Sequence, residues 1–166
     1  MPSTQISGYG PAPGRYVPAP LAAALSRASS VVPNGCDHSF VALLDAYRPS
    51  GGLARVDEVN HQLERRRGHD AATLERWIRQ GAVISFDWQS QTWLPWFQFA
   101  AADELPAASV ATVLAALHPV FDAWETAQWF ARPNAALDDR APVDVIVADP
   151  AAAERAARID RFVVTG

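Results

Sequence analysis

The sequence contains no lysine, one cysteine and one methionine among its 166 residues. The single cysteine, Cys36, cannot form a disulfide within the chain, and with four scattered histidines it provides no cluster spaced for a metal ion. No apolar run approaches the roughly 20 residues that a membrane-spanning helix needs, and the N-terminus lacks the basic and apolar parts of a signal peptide. We therefore expect a cytoplasmic protein that uses no metal and no cofactor and does not contact a membrane.

Basic charge comes from arginine alone, with 14 arginines against 18 acidic residues and a net charge of -4. A negative chain does not bind nucleic acid by bulk electrostatics, although a local basic patch is compatible with this balance. Hydrophobic residues make up 49% of the chain and charged residues 19%, which is enough apolar surface for one compact core. This composition excludes disorder along the whole length.

Residue types that serve catalysis are present, but they are not spaced for it. Carboxylates occur as adjacent pairs, at Asp57 with Glu58, Asp103 with Glu104 and Asp138 with Asp139. Adjacent side chains do not face one another, and no histidine has the spacing of a catalytic triad. Gly51 and Gly52 are not followed by the Lys-Ser or Lys-Thr pair of a phosphate loop. We expect a protein that is not an enzyme.

The N-terminal part divides into a tail and a helical extension. Residues 1–20 contain five prolines and three glycines, a composition typical of a flexible tail. Within the extension, residues 21–52, the best helical pattern runs from Phe40 to Tyr47 and ends before Pro49.

Cys36 and His38 follow Pro33, Asn34 and Gly35, a combination typical of a turn. We expect this pair to be solvated and to have no special role.

Residues 53–99 have the element order of a winged helix-turn-helix. The pattern predicts a helix over 55–67, a second over 70–80 with Asp70 as its N-cap, and a β-hairpin over 82–98. Because Pro95 cannot donate a backbone hydrogen bond, the second strand should lie at a sheet edge or end near this residue.

Five arginines on the helix pair are candidates for phosphate contacts: Arg65, Arg66, Arg67, Arg76 and Arg79. The first three also complement the macrodipole at the end of their own helix, so DNA binding and a purely structural role both stay open.

Residues 100–166 are expected to be helical, over 106–117, 122–131, a short helix beginning at Pro142, and a last helix over 151–162. The predicted fold class is mainly α with one β-hairpin, the helix pair and hairpin being packed on this C-terminal helical region.

All six tryptophans lie between Trp77 and Trp129, which predicts one aromatic core shared by the hairpin and the helix over 122–131. Since strand residues alternate between faces, Trp88, Trp93 and Trp96 cannot all point inward. An exposed tryptophan among them would be a candidate partner contact.

The C-terminal run contains Trp129, Pro133, Asn134, Leu137, Arg140 and Pro142 in order, after a hairpin strand with Pro95 and Phe97 to Phe99. Residues 75–162 thereby resemble the C-terminal toxin-binding domain of Xre/MbcA/ParS-type antitoxins. Asp139 stands where that family usually has glycine, which adopts positive φ more readily. The N-terminal Xre-type DNA-binding domain is not visible, so the resemblance does not imply DNA binding.

The resemblance implies a non-catalytic module that neutralises a toxin encoded nearby, of the RES type or with an ADP-ribosyltransferase-like fold. Autoregulation and a homodimer are further expectations that follow from it. It also implies partner-binding positions at Trp129, Pro133, Asn134, Leu137, Arg140 and Pro142, with Arg155, Arg158 and Arg161 on the exposed part of the last helix. Of these, the arginines are candidate direct contacts and the others are candidate packing and turn residues.

Two alternatives remain beside this interpretation. One is a transcriptional regulator that binds DNA through residues 53–98 as a degenerate winged helix, and the other is a stand-alone dimeric scaffold.

Overall fold

The computed structural model describes residues 35–67, 70–99 and 106–166. The tail predicted over 1–20 and the first part of the predicted extension, 21–34, lie outside the described residues. Residues Gly35–Gly166 form one compact unit.

The fold is mainly α with a small antiparallel sheet, as the sequence predicted. The first half of the described chain contains α1 (Gly35–Tyr47), a 3-10 turn (Arg48–Ser50), β1 (Leu53–Arg55), α2 (Val56–Arg67), α3 (Ala71–Arg79), β2 (Phe86–Trp88), β3 (Gln91–Pro95) and a 3-10 turn (Trp96–Phe99). The second half contains α4 (Ala108–Leu117), α5 (Ala123–Ala131), a 3-10 turn (Ala135–Leu137), α6 (Pro142–Val145) and α7 (Pro150–Thr165).

The sheet has a third strand that the sequence did not predict. Its order is β1-β3-β2, with Leu53 opposite Pro95 and Phe86 opposite Trp93. The described elements thus run α1, β1, α2, α3, β2, β3, and β1 lies between the predicted extension and the helix pair.

β3 is therefore the central strand, and the prediction that it lies at an edge is wrong. The alternative, that the strand ends near Pro95, is confirmed. The proline does not interrupt the pairing because it is the last residue of the strand. The next amide, of Trp96, donates to the carbonyl of Gly52 at 2.9 Å.

α1 begins at Gly35, so Cys36 and His38 lie in its first turn. Asp37 is in the same turn, where a carboxylate interacts favourably with the positive end of the helix dipole. Pro33 and Asn34 of the predicted turn lie outside the described residues.

The predicted helix starts follow from side-chain caps. Asp70 accepts hydrogen bonds from the amide and the hydroxyl of Thr73 at 3.0 and 2.7 Å, and these bonds hold its pKa below the usual value. Asp122 and Glu125 form a reciprocal capping box at the start of α5. Asp149 caps α7, with Pro150 in the first turn.

The aromatic residues divide between two core clusters. Trp88, Trp93 and Trp124 pack on the larger cluster, where Trp88 stacks on Phe40 with ring centroids 4.9 Å apart. Trp77 belongs to the smaller cluster between α2, α3 and the sheet.

The core shared by the hairpin and α5 is confirmed, because Trp88 and Trp124 stack at 6.0 Å. The exposed hairpin tryptophan is not found, since Trp88, Trp93 and Trp96 are all half-buried. Trp96 packs against the smaller cluster, where it lies near Phe99. The three hairpin tryptophans therefore point to two different cores, and none of them points to solvent.

Tyr47 joins α1 to α5 through a buried hydrogen bond, in which its hydroxyl donates to the carbonyl of Ala127 at 2.7 Å. Burial raises the pKa of Tyr47 far above its usual value. The pKa of Tyr47 is therefore higher in the folded state than in the unfolded state, where it is about 10. The stability that this difference contributes is fully present below pH about 10 and is lost as the pH rises above it.

We therefore expect the free energy of unfolding to fall by about 1.4 kcal/mol per pH unit above pH about 10 because of Tyr47. Since the chain has no lysine, lysine titration does not obscure this range. Urea unfolding at pH 8, 10 and 11 measures the slope, and Tyr47→Phe should have a shallower one. Equal slopes for the two proteins would contradict the assignment.

Candidate functional site

The turn between α5 and α6, residues 133–140, is organised around Asn134, and we call it the Pro-Asn turn. The side-chain oxygen of Asn134 accepts from the amide of Ala136 at 2.9 Å. Its carbonyl accepts from the amides of Leu137 and Asp139 at 2.9 and 3.1 Å. Its own amide donates to the carbonyl of Arg140 at 3.1 Å, which closes the turn as an isolated β-bridge.

Asp160 of α7 connects this turn to α5, and sequence reasoning missed it. One carboxylate oxygen of Asp160 accepts from Trp129 Nε1 at 2.6 Å and from Asn134 Nδ2 at 2.6 Å. A carboxylate acceptor makes both hydrogen bonds stronger than neutral ones. Two residues that the sequence singled out are thereby held to the last helix by one oxygen atom.

Apolar contacts hold the turn from the other side. Leu137 is buried in a small cluster with Val145 and Ala156, so the turn, α6 and α7 pack together. Pro142 is buried in the first turn of α6, the position predicted for it. Both residues therefore act through packing, which leaves neither side chain open to a partner.

Asp139, at the position where the resemblance leads us to expect glycine, has the positive φ that glycine adopts readily. Asp138 and Asp139 have φ of 55° and 59°, in the left-handed region that asparagine and aspartate tolerate better than most residues. Arg140 follows with an exposed side chain whose Nε donates to the carbonyl of Leu137 at 3.3 Å. The turn thus presents one arginine and two carboxylates at its tip.

A cleft of about 520 Å³ lies between α5, the Pro-Asn turn and α7. Its wall includes Glu125 and Arg132 from α5 and its C-cap, and Ile159 and Asp160 from α7. Because Asp160 also binds Trp129, the site's hydrogen-bond network forms part of the cleft wall.

α7 has two halves with different surroundings. Ala153, Ala156 and Ala157 are buried in the first half, where the helix packs against α4. In the second half, Ile159, Phe162 and Val163 are 51%, 74% and 71% exposed. Their i, i+3, i+4 spacing places them on one face, so the helix ends in an apolar stripe, which we call the α7 stripe.

α7 carries three exposed arginines, Arg155, Arg158 and Arg161. Arg158 pairs with Glu154, whereas Arg155 and Arg161 have no carboxylate at ion-pair distance among the described residues. Both side chains are exposed. By the helical repeat, Arg155 lies on the same face as Ile159 and Phe162, whereas Arg161 lies on the side of the helix away from Ile159 and Val163. In sequence, the three predicted partner-binding arginines are one to five residues from Asp160, the anchor of the Pro-Asn turn.

The arginines predicted for nucleic acid lie on a different surface. Arg65 on α2 and Arg76 and Arg79 on α3 are exposed. Arg66 and Arg67 end α2, and their side chains lie outside the described part of the chain. The hairpin tip, Gln89 and Ser90, carries no basic side chain.

Within the described ranges, no three histidine, cysteine or acidic side chains are grouped to hold a metal ion. The helices of these ranges are each too short or too polar to cross a membrane. No protein-family model matches the chain, and neither a curated protein nor a solved structure matches it significantly.

Proposed function

We propose that this chain is a non-catalytic protein-binding module of the antitoxin type, and that the end of α7 is the segment its partner binds. The observation that carries this proposal is the α7 stripe, because Ile159, Phe162 and Val163 expose apolar surface at the spacing with which helices enter grooves. The resemblance of residues 75–162 to toxin-binding domains supplies the class of partner, a toxin of the RES type or with an ADP-ribosyltransferase-like fold.

The surroundings of the stripe support a definite orientation of the bound helix. Asp160 ties α7 to Trp129 and Asn134, so the stripe starts from a fixed point rather than from a free helix end. Arg155, four residues before Ile159 on the same face, adds a planar cation beside it that has no carboxylate at ion-pair distance among the described residues. A groove on the partner with an apolar floor and an acidic rim would fit the apolar stripe and the arginine beside it.

Replacement of Val163 by aspartate is expected to weaken binding to the toxin-like product of a neighbouring gene by about 30-fold or more, since a charge would enter a desolvated contact. Co-expression, co-purification and rescue of growth measure this. Val41→Asp is the matched control, because Val41 is 54% exposed and belongs to a different helix, α1. This protein should bind as the unsubstituted chain does.

Failure of the unsubstituted chain to form a complex or to rescue growth would contradict the proposal, as would equal binding by the Val163→Asp and Val41→Asp proteins. If Val163→Asp changes only the oligomeric state of the chain on its own, the dimeric scaffold is the better interpretation.

A second candidate function, DNA binding, is favoured by one observation. β1 completes a three-stranded sheet beside α2 and α3, so the described elements follow the full order of a winged helix rather than that of a hairpin alone. In this arrangement α3 would enter the major groove with Arg76 and Arg79 exposed.

DNA binding through Arg65, Arg76 and Arg79 predicts that log K falls with log salt with a slope of about -3, about -0.9 for each phosphate contact. A labelled DNA fragment from upstream of the gene, titrated at several salt concentrations, measures the slope. Arg76→Ala with Arg79→Ala should make it about 2 less negative, whereas Arg155→Ala with Arg161→Ala on α7 should not change it. Undetectable binding at every salt concentration would exclude this candidate.

A further inference from the structure

A separate pocket of about 180 Å³ lies at the junction of α3, the segment before β2, and the facing ends of α4 and α5. Its apolar wall includes Val83, Ile84 and Leu114, all buried. His118 and Ala123 line it as well and are exposed, so they mark its mouth. The pocket shares no lining residue with the α7 stripe or the Pro-Asn turn.

Thr126 contributes the feature that suggests a ligand. It lines the pocket, is 2% exposed, and its hydroxyl has no hydrogen-bond partner among the described residues. Buried hydroxyls are paired in most proteins, and a helical threonine often donates to the carbonyl one turn earlier. The oxygen is fully buried and does not face the pocket. A helical threonine populates two χ1 rotamers, so a ligand would bind together with a rotation about χ1 that turns the hydroxyl toward the pocket.

The mouth of the pocket is held by contact between Gly81 and His118. Gly81 has φ of 64°, and a Cβ at this position would lie 2.7 Å from His118 Cε1. The imidazole therefore lies against the glycine backbone, and a larger residue at 81 would displace it. Ser85 adds a second hydroxyl to the lining.

We propose that this pocket binds a small monocyclic molecule carrying one hydroxyl group, with its ring against Val83, Ile84 and Leu114 and its hydroxyl paired with Thr126. The volume fits this class, since an apolar cavity of about 150 Å³ in another protein takes up benzene. The hydroxyl of the ligand would satisfy a buried group that has no hydrogen-bond partner among the described residues. This site is independent of the proposed partner binding at α7.

Phenol and benzene are suitable probes because they differ only by the hydroxyl. Titrated into the full chain and followed by amide chemical shifts, phenol should bind about fivefold more tightly, the value of one neutral hydrogen bond. The shifts should centre on Gly81, Ser85, His118 and Thr126. The isosteric Thr126→Val protein should lose the preference for phenol, because valine cannot pair with the hydroxyl.

Occupancy of the pocket itself is tested by Ala123→Leu, which places a larger side chain at the mouth and should weaken both probes at least tenfold. Ala151→Leu is the matched control, an exposed alanine in the first turn of α7, and should leave both affinities unchanged. The proposal is overturned by lack of saturable binding, by equal affinity for the two probes, by a preference for phenol that survives in Thr126→Val, or by equal effects of the two leucine substitutions.

Discussion

Replacement of Gln98 by leucine is expected to lower the free energy of unfolding by about 4 kcal/mol. The Gln98 amide is 0% exposed, and it accepts from the amide of Ile84 at 2.8 Å while donating to the carbonyl of Ile84 at 2.9 Å. Leucine leaves both backbone groups buried without a partner, and each such group costs about 1–3 kcal/mol. Since domains are stable by about 5–15 kcal/mol, the loss is a large share of the total.

Urea unfolding followed by tryptophan fluorescence measures the effect of Gln98→Leu. Gln91→Leu is the control, because Gln91 is exposed on β3 and makes no side-chain hydrogen bond that the structure records within the described ranges. It should change the free energy of unfolding by no more than about 0.5 kcal/mol. Similar midpoints for the two variants would mean that water replaces the Gln98 amide.

Helix ends were predictable because their signals are local. Asp70 caps α3 as the sequence indicated, and Asp122 and Asp149 cap α5 and α7, which begin within one residue of their predicted starts. Each cap needs only residues within one turn. The same holds for Pro142 at the start of α6. Local chemistry therefore predicts most of the helical part of the fold.

β1 was missed because its three residues have no pattern of their own. Leu53–Arg55 is a strand only because β3, about 40 residues later, supplies the pairing. β3 was wrongly predicted to be an edge strand for the same reason. Without β1 it has one neighbouring strand, β2, whereas with β1 it has a neighbour on each side. Gln98 was missed for a related reason, as only the fold shows that its amide completes the hydrogen bonds of Ile84.

At the candidate site, the sequence indicated the Pro-Asn turn but not what holds it. Trp129, Asn134 and Leu137 were indicated by the resemblance to toxin-binding domains, and in the structure they lie together. Asp160 lies 31 and 26 residues from its two donors and stands between two exposed helix positions, Ile159 and Arg161. No local pattern distinguishes such a carboxylate from an ordinary surface residue.

Asp160→Ala is expected to lower the free energy of unfolding by about 2 kcal/mol and the Tm by about 4–8 °C. The substitution removes two hydrogen bonds to a charged acceptor, and the half-buried site lets water restore part of the loss. Asp160→Asn should cost about half as much, because the amide oxygen still accepts but carries no charge. Thermal unfolding by circular dichroism measures all three proteins.

Asp144→Ala is the matched control, an exposed aspartate on α6 with no side-chain partner that the structure records in the described part. Its Tm should change by no more than about 2 °C. Because Asp160 fixes α7 to the Pro-Asn turn, Asp160→Ala should also weaken toxin binding at the α7 stripe, whereas Asp144→Ala should not. If Asp160→Ala matches Asp144→Ala in both stability and toxin binding, the apolar cluster of Leu137, Val145 and Ala156 positions α7 without help from Asp160.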